Sequence, residues 1–100
     1  MHVELGPGVA DLVWRMGEAA LTVELTIDFE YDAQKDAVAF MGPAEPAFGY
    51  RCQRVDGIDV WWRQRLWLGG LEPRLSGEIR PRRLLVGRVG KALSASVDYA

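Results

Sequence analysis

Histidine and cysteine, which often carry out catalysis or bind zinc, are scarce in this sequence. His2 is its only histidine and Cys52 its only cysteine, so one chain cannot assemble a histidine-based triad or a multi-cysteine zinc site. The residues around Cys52 include no histidine to activate it, although neighbouring arginines could lower the pKa of its thiol. We therefore interpret Cys52 as a small packing residue and expect no catalytic residue, no metal and no cofactor.

Two groups of carboxylates have spacings that could serve chemistry. Asp28 and Glu30 lie two positions apart, which places their Cα atoms about 6.6 Å apart on one strand face, within range for a hydrolytic acid pair. The acids of residues 28–36 are also spaced somewhat as in a calcium loop, but Ala33 stands where that loop needs glycine and Ala39 where it needs a bidentate glutamate. We interpret both groups as parts of an ordinary solvated strand.

The most informative stretch is residues 48–68, where arginines alternate with aromatic residues. Two β-prone runs flank Asp56-Gly57, a step typical of a two-residue hairpin turn in which both positions need a positive φ. Pairing Val55 with Ile58 fixes the register of the two strands. Because side chains alternate along a strand, each residue can then be assigned to one of two faces.

One face of this hairpin is mainly apolar and is predicted to face the core. It carries Val55, Ile58, Val60, Trp62, Leu66 and Leu68, with Arg51, Gln53 and Gln64 as polar interruptions. The opposite face, which we call the Arg-aromatic face, carries Phe48, Tyr50, Cys52, Arg54, Asp59, Trp61, Arg63, Arg65 and Trp67.

The Arg-aromatic face predicts a binding role. Tryptophan and arginine are enriched at the energetic centres of protein interfaces, so the first hypothesis is an interaction or assembly subunit, with self-association as its simplest form. The partner-binding residues would be Tyr50, Arg54, Trp61, Arg63, Arg65 and Trp67.

Two alternatives stay open. The same face could stack the bases of single-stranded nucleic acid, although a pI near 5.3 is low for such a protein. If the strands close into a barrel, its interior could instead hold a small apolar ligand. Aromatic side chains would line that interior, and its polar contacts would be few: the lining would be Trp14, Phe29, Phe40 and Trp62, and the contacts Arg51, Gln53 and Gln64.

The rest of the chain predicts further strands. Residues 9–16 and 19–31 flank Gly17-Glu18 and favour a hairpin, with a short helix over residues 8–16 as the alternative. Residues 21–31 alternate between apolar and polar without interruption, and residues 36–41 read as a returning strand. Residues 82–86 and 91–99 predict a last hairpin around residues 87–90, with Pro81 at a strand entry.

We therefore predict a single all-β domain over residues 1–100, with one short N-terminal helix as an alternative to its first strand, as an antiparallel meander closed into a small β-barrel or sandwich. Nine acids against two bases give residues 1–50 a charge of −7, and ten bases against five acids give residues 51–100 a charge of +5. Acidic early strands beside basic late strands would neutralise each other. Without a long apolar run or signal peptide, we expect a soluble cytoplasmic protein with no membrane partner.

Overall fold

A computed structural model describes residues 1–28, 34–67 and 81–99 as a mostly β chain with one helix. Its elements, in chain order, are β1 (His2–Leu5), α1 (Val9–Arg15), β2 (Ala20–Asp28), β3 (Gln34–Met41), β4 (Arg51–Val55), β5 (Ile58–Trp67), β6 (Pro81–Val89) and β7 (Ala92–Tyr99).

The strands form two sheets rather than one meander. The first has three strands in the order β1-β6-β7, and the second has four in the order β3-β2-β5-β4. The pairs β2–β3, β4–β5 and β6–β7 are antiparallel, as expected, but β1–β6 and β2–β5 are parallel. The predicted meander is therefore wrong in its connections, because parallel pairs join strands that are distant in the sequence.

The predicted hairpin at residues 9–31 is wrong, and the helical alternative is confirmed. Val9, Leu12 and Val13 are buried on one side of α1, at helical spacing. Gly17, with a φ of 77°, follows the helix. Its N–H donates to the Trp14 carbonyl and the N–H of Glu18 to the Val13 carbonyl, the pattern of a helix stopped by a left-handed glycine.

Both sheets and α1 contribute to one buried hydrophobic cluster. Its members are Val3, Val9, Val13, Leu21, Val23, Leu25, Ile58, Val60, Leu84 and Val86. The strand pairs of the described residues do not close into a barrel. Trp14 and Phe40, which we expected to line an interior, are 54% and 52% exposed, so that prediction is wrong.

Strand boundaries differ modestly from expectation. The described part of the 21–31 strand is confirmed, β3 begins two residues early at Gln34, and β1 was not predicted. The last hairpin turns at Gly90-Lys91 rather than over residues 87–90, because Gly87 lies within β6 and pairs with Ser94. Phe29, Glu30, Ala33 and Leu68 lie outside the described residues, and with them the acid pair and most of the calcium-like pattern.

The parallel pairs bring acidic early strands beside basic late ones, as the charge distribution predicted. Arg63 of β5 lies 2.7 Å from Glu24 of β2, and Arg83 of β6 lies 2.7 Å from Glu4 of β1. Across the described residues, no helix has the length and apolar character needed to cross a membrane.

Candidate interaction surface

The hairpin that carries the candidate residues forms with the predicted register. Asp56 and Gly57 occupy the turn with φ values of 51° and 78°, as a two-residue turn requires. Val55 pairs with Ile58, Cys52 with Trp61, and Arg51 with Trp62. The assignment of side chains to two faces of the hairpin is therefore confirmed at the level of the backbone.

The Arg-aromatic face becomes part of a larger surface, the outward face of the four-stranded sheet. Strand pairing arranges this outward face in rows that run across the sheet. One row is Phe40, Thr22, Trp61 and Cys52; the next contains Val38, Glu24 and Arg63; and the third contains Asp36, Thr26 and Arg65. Sequence analysis assigned only the β4 and β5 part of this surface.

Glu24 organises the middle row. The Arg63 Nε–H donates to both Glu24 carboxylate oxygens, at 2.9 and 2.7 Å, and the Tyr50 hydroxyl donates to the same carboxylate. The Arg63 guanidinium also lies over the Tyr50 ring, 4.6 Å from its centroid. The hydrogen bond to Glu24 raises the pKa of the Tyr50 hydroxyl above its ordinary 10.0. The Glu24 carboxylate also neutralises the positive charge of Arg63.

Large apolar side chains on β3 add to this surface. Val38 and Phe40 are 42% and 52% exposed. Their inward-facing neighbours Ala37 and Ala39 pack against the buried cluster. Both faces of β3 carry apolar residues, so an apolar/polar alternation could not show that Phe40 faces outward. The sequence signal for this was the small size of Ala37 and Ala39, which suits close packing of that side against the core.

The remaining predicted partner-binding residues differ in their environments. Trp61 is half-buried, and its indole N–H has no hydrogen-bond acceptor among the described residues. Arg54 pairs with Asp59 at 3.1 Å, whereas exposed Arg65 has no salt-bridge partner in the described part of the chain. Trp67 lies in β5, and its side chain is outside the described part of the structure.

Cys52 is exposed on this face. Desolvation, helped by the negative charge of Asp59, raises the pKa of its thiol above the ordinary 9.0, and Arg54 lowers it by less. Arg54 therefore acts in the expected direction, but desolvation and Asp59 outweigh it, and the net pKa of the thiol is raised. A protonated thiol is a weak nucleophile at neutral pH.

Three of the four residues proposed to contact a small ligand line one cleft. Arg51, Trp62 and Gln64 meet residues that precede or begin strands of the other sheet, in a cleft of about 670 Å³. Trp62 packs against the core cluster, as expected for the predicted core face. Gln53 is exposed and does not line this cleft, and Arg51 is also exposed rather than enclosed.

Comparisons with protein-family models, with curated proteins and with solved structures find no match to this chain. Its function must therefore be inferred from the surface and the cleft themselves.

Proposed function

We propose that this chain is a non-catalytic β-sandwich protein of the cytoplasm that assembles with a second copy of itself through the outward face of its four-stranded sheet. The observation that carries the proposal is the arrangement of the first and third rows on that face. In each of these two rows a group on β3 complements a group on β5, with β2 between them.

The first and third rows of two copies complement each other under two-fold symmetry. Strands β3 and β5 each lie about 4.8 Å from β2, on opposite sides. A two-fold axis above β2 and parallel to it would place β3 of one copy over β5 of the other. Phe40 would then meet Trp61 of the second copy, and Asp36 would meet its Arg65. Each contact would occur twice, as in any two-fold dimer.

The charges of the third row support this pairing. Asp36 and Arg65 are both exposed, and neither has a salt-bridge partner among the residues that the structure describes. Within one copy they are separated by Thr26, which pairs with both across the sheet. The dimer would bring opposite charges together where the monomer leaves them apart.

The first row supplies apolar area. Phe40 and Trp61 flank buried Thr22, and an aromatic pair across an interface gives about 0.5–1.5 kcal/mol beyond area burial. Three overlapping strands cover only roughly 330 Å² per copy in projection. This area is small for a specific interface, so we expect a weak, concentration-dependent dimer.

Nucleic acid is a poorer fit to this face. Arg54 and Arg63 are already engaged by Asp59 and Glu24, and Asp36 adds a further carboxylate to the same surface. Phosphates would meet these carboxylates as well as the arginines, and binding to phosphate depends on net positive charge.

Sedimentation velocity at protein concentrations from about 5 to about 500 µM tests the proposal, a range suited to micromolar affinity. The wild-type protein should shift from monomer to dimer with increasing concentration. Asp36→Arg and Arg65→Asp should each weaken the dimer, and the double variant should recover it. Asp98→Arg, which changes charge by the same amount on β7 of the other sheet, is the matched control. A strict monomer at every concentration, or a double variant no better than the singles, would contradict the proposal.

A further inference from the structure

Among the described residues, the cleft between the two sheets shares only Arg63 with the rows of the outward face. Its other walls come from Gly49, Arg51, Trp62 and Gln64 on one side and from Met1 and Pro81 on the other. It lies near the Pro81 end of β6, whereas Gly8, which precedes α1, lies near Arg88 at the other end of that strand. A volume of about 670 Å³ is in the range that small-molecule sites occupy.

Arg51 lies over an aromatic ring of this cleft, where the part of the chain that the structure describes offers it no ion pair. Its guanidinium carbon is 5.7 Å from the centroid of the Trp62 ring, within the range of a cation–π contact. Such a contact does not consume the N–H donors of the guanidinium, which remain available to an acceptor. No carboxylate among the described residues forms a salt bridge with it.

Most other arginines of the described chain already have a hydrogen-bond partner in the protein, unlike Arg51. Arg54, Arg63 and Arg83 are each paired with a carboxylate of this chain, and Arg88 donates to the carbonyls of Gly8 and Gly90. Arg63 also lines this cleft and lies over the Tyr50 ring, but Glu24 already engages it. Arg51 lies over Trp62 in the same wall and has no salt-bridge partner among the described residues. A guanidinium without a carboxylate partner suits a planar anion, which it can bind with two parallel hydrogen bonds.

We infer that the cleft binds a small aromatic or other flat apolar molecule that carries one carboxylate, with Arg51 receiving the carboxylate and Trp62 contacting the apolar body. This inference does not depend on the proposed dimer, since Arg51 and Trp62 are on the opposite side of the hairpin from Trp61 and Arg65. It extends the sequence-based ligand hypothesis by naming the ligand's charge and shape.

The probe for the test is sodium 2-naphthoate, with neutral 2-naphthylmethanol as its matched analogue. The Trp62 indole N–H signal is identified in the ¹H–¹⁵N spectrum with Trp62→Phe and followed while either compound is added. We expect saturable shifts with naphthoate, with a dissociation constant of about 1 mM or below for a ligand of this size. The neutral analogue should bind at least about 10-fold more weakly because it lacks the charge-assisted hydrogen bonds.

Substitutions separate the roles of charge and geometry. Arg51→Gln should weaken naphthoate binding about 10-fold or more, and Arg51→Lys should fall between because it keeps the charge and loses the planar fork. Arg54→Gln, on the same strand but the other face, should bind like the wild-type protein. Equal binding of the two compounds, no shift of the Trp62 signal up to about 10 mM, or unchanged affinity in Arg51→Gln would overturn the inference.

Discussion

The outward faces of the two sheets have similar strand geometry and different side chains. On the three-stranded sheet, β7 presents Ser94, Ser96 and Asp98 to solvent, and the apolar Leu85 beside them is 39% exposed. On the four-stranded sheet, Phe40 and Trp61 occupy the corresponding kind of position. The large exposed apolar groups on one sheet, rather than strand pairing alone, make that sheet the candidate interaction surface.

The ion pairs on the outward faces of the two sheets differ in how far they are buried. Glu24–Arg63 and Glu4–Arg83 both join parallel neighbouring strands at 2.7 Å. Glu24 is only 19% exposed at its side chain and is shared by Tyr50, whereas Glu4 is 40% exposed and its other partner is the exposed His2. The first pair is therefore part of a half-buried polar cluster, and the second is an ordinary surface contact.

The largest expected effect is on the affinity of the dimer, when a charge is placed on one outward face or, in a separate variant, on the other. Phe40→Lys should weaken the dimer more than about 10-fold, because it removes an apolar contact and sets two like charges near the two-fold axis. Leu85→Lys, on the outward face of the other sheet, should leave the dimer unchanged. Sedimentation velocity of both variants at matched concentrations measures the effect, and equal weakening by the two would remove the distinction between the faces.

The next largest effect is on the free energy of unfolding when Glu24 or Glu4 loses its charge. Glu24→Gln should lower the free energy of unfolding by about 1–3 kcal/mol, since it weakens charge-assisted bonds to Arg63 and Tyr50 together. Glu4→Gln should have a smaller effect, because its pair is open to water. Urea denaturation at pH 7 measures both. If Glu4→Gln lowered the free energy of unfolding more than Glu24→Gln, the half-buried cluster around Glu24 would not have the importance that we assign to it.

A pH dependence should appear on the three-stranded sheet. The bonds from Arg83 and His2 hold the pKa of Glu4 below its ordinary 4.5. A lowered carboxyl pKa stabilises the fold above the ordinary value, and this stabilisation is lost as the pH falls through the lowered value. Thermal unfolding followed from pH 6 to pH 3 should show a steeper loss in the wild-type protein than in Glu4→Gln. Parallel curves for the two proteins would count against this linkage.

The smallest expected effect is on the reactivity of the Cys52 thiol, which lies on the four-stranded sheet. Because the pKa of Cys52 is raised, its reaction with a disulfide reagent at pH 7.5 should be slower in the folded protein than in urea. Asp59→Asn should speed the reaction modestly, since it removes a negative charge and frees Arg54 from its ion pair. A folded-state rate above that of the unfolded chain would instead indicate an activated cysteine.

Local features of the fold could be predicted from the sequence. The Asp56-Gly57 turn joins two strands through two residues, so it fixes their register without reference to the rest of the chain. The placement of Trp61 and Trp62 on opposite faces followed from that register. The seven residues of α1 fit both a helical and a strand pattern, and the choice depended on the glycine that ends the helix.

Long-range features could not be predicted in the same way. The parallel pairing of β2 with β5 joins strands separated by β3 and β4, and no local turn specifies such a contact. This pairing brings Glu24 to Arg63 and places Phe40 and Trp61 in one row. The position of β3 beside β2, and so its share in the candidate surface, therefore became known only with the sheet order.

The proposed assembly is tested most directly by an isotope-filtered NOE experiment on a mixture of labelled and unlabelled protein at a concentration that populates the dimer. Face-to-face contact about an axis above β2 predicts intermolecular NOEs between the Phe40 ring and the Trp61 indole. Intermolecular NOEs confined to the three-stranded sheet, or a protein that remains monomeric at that concentration, would contradict it.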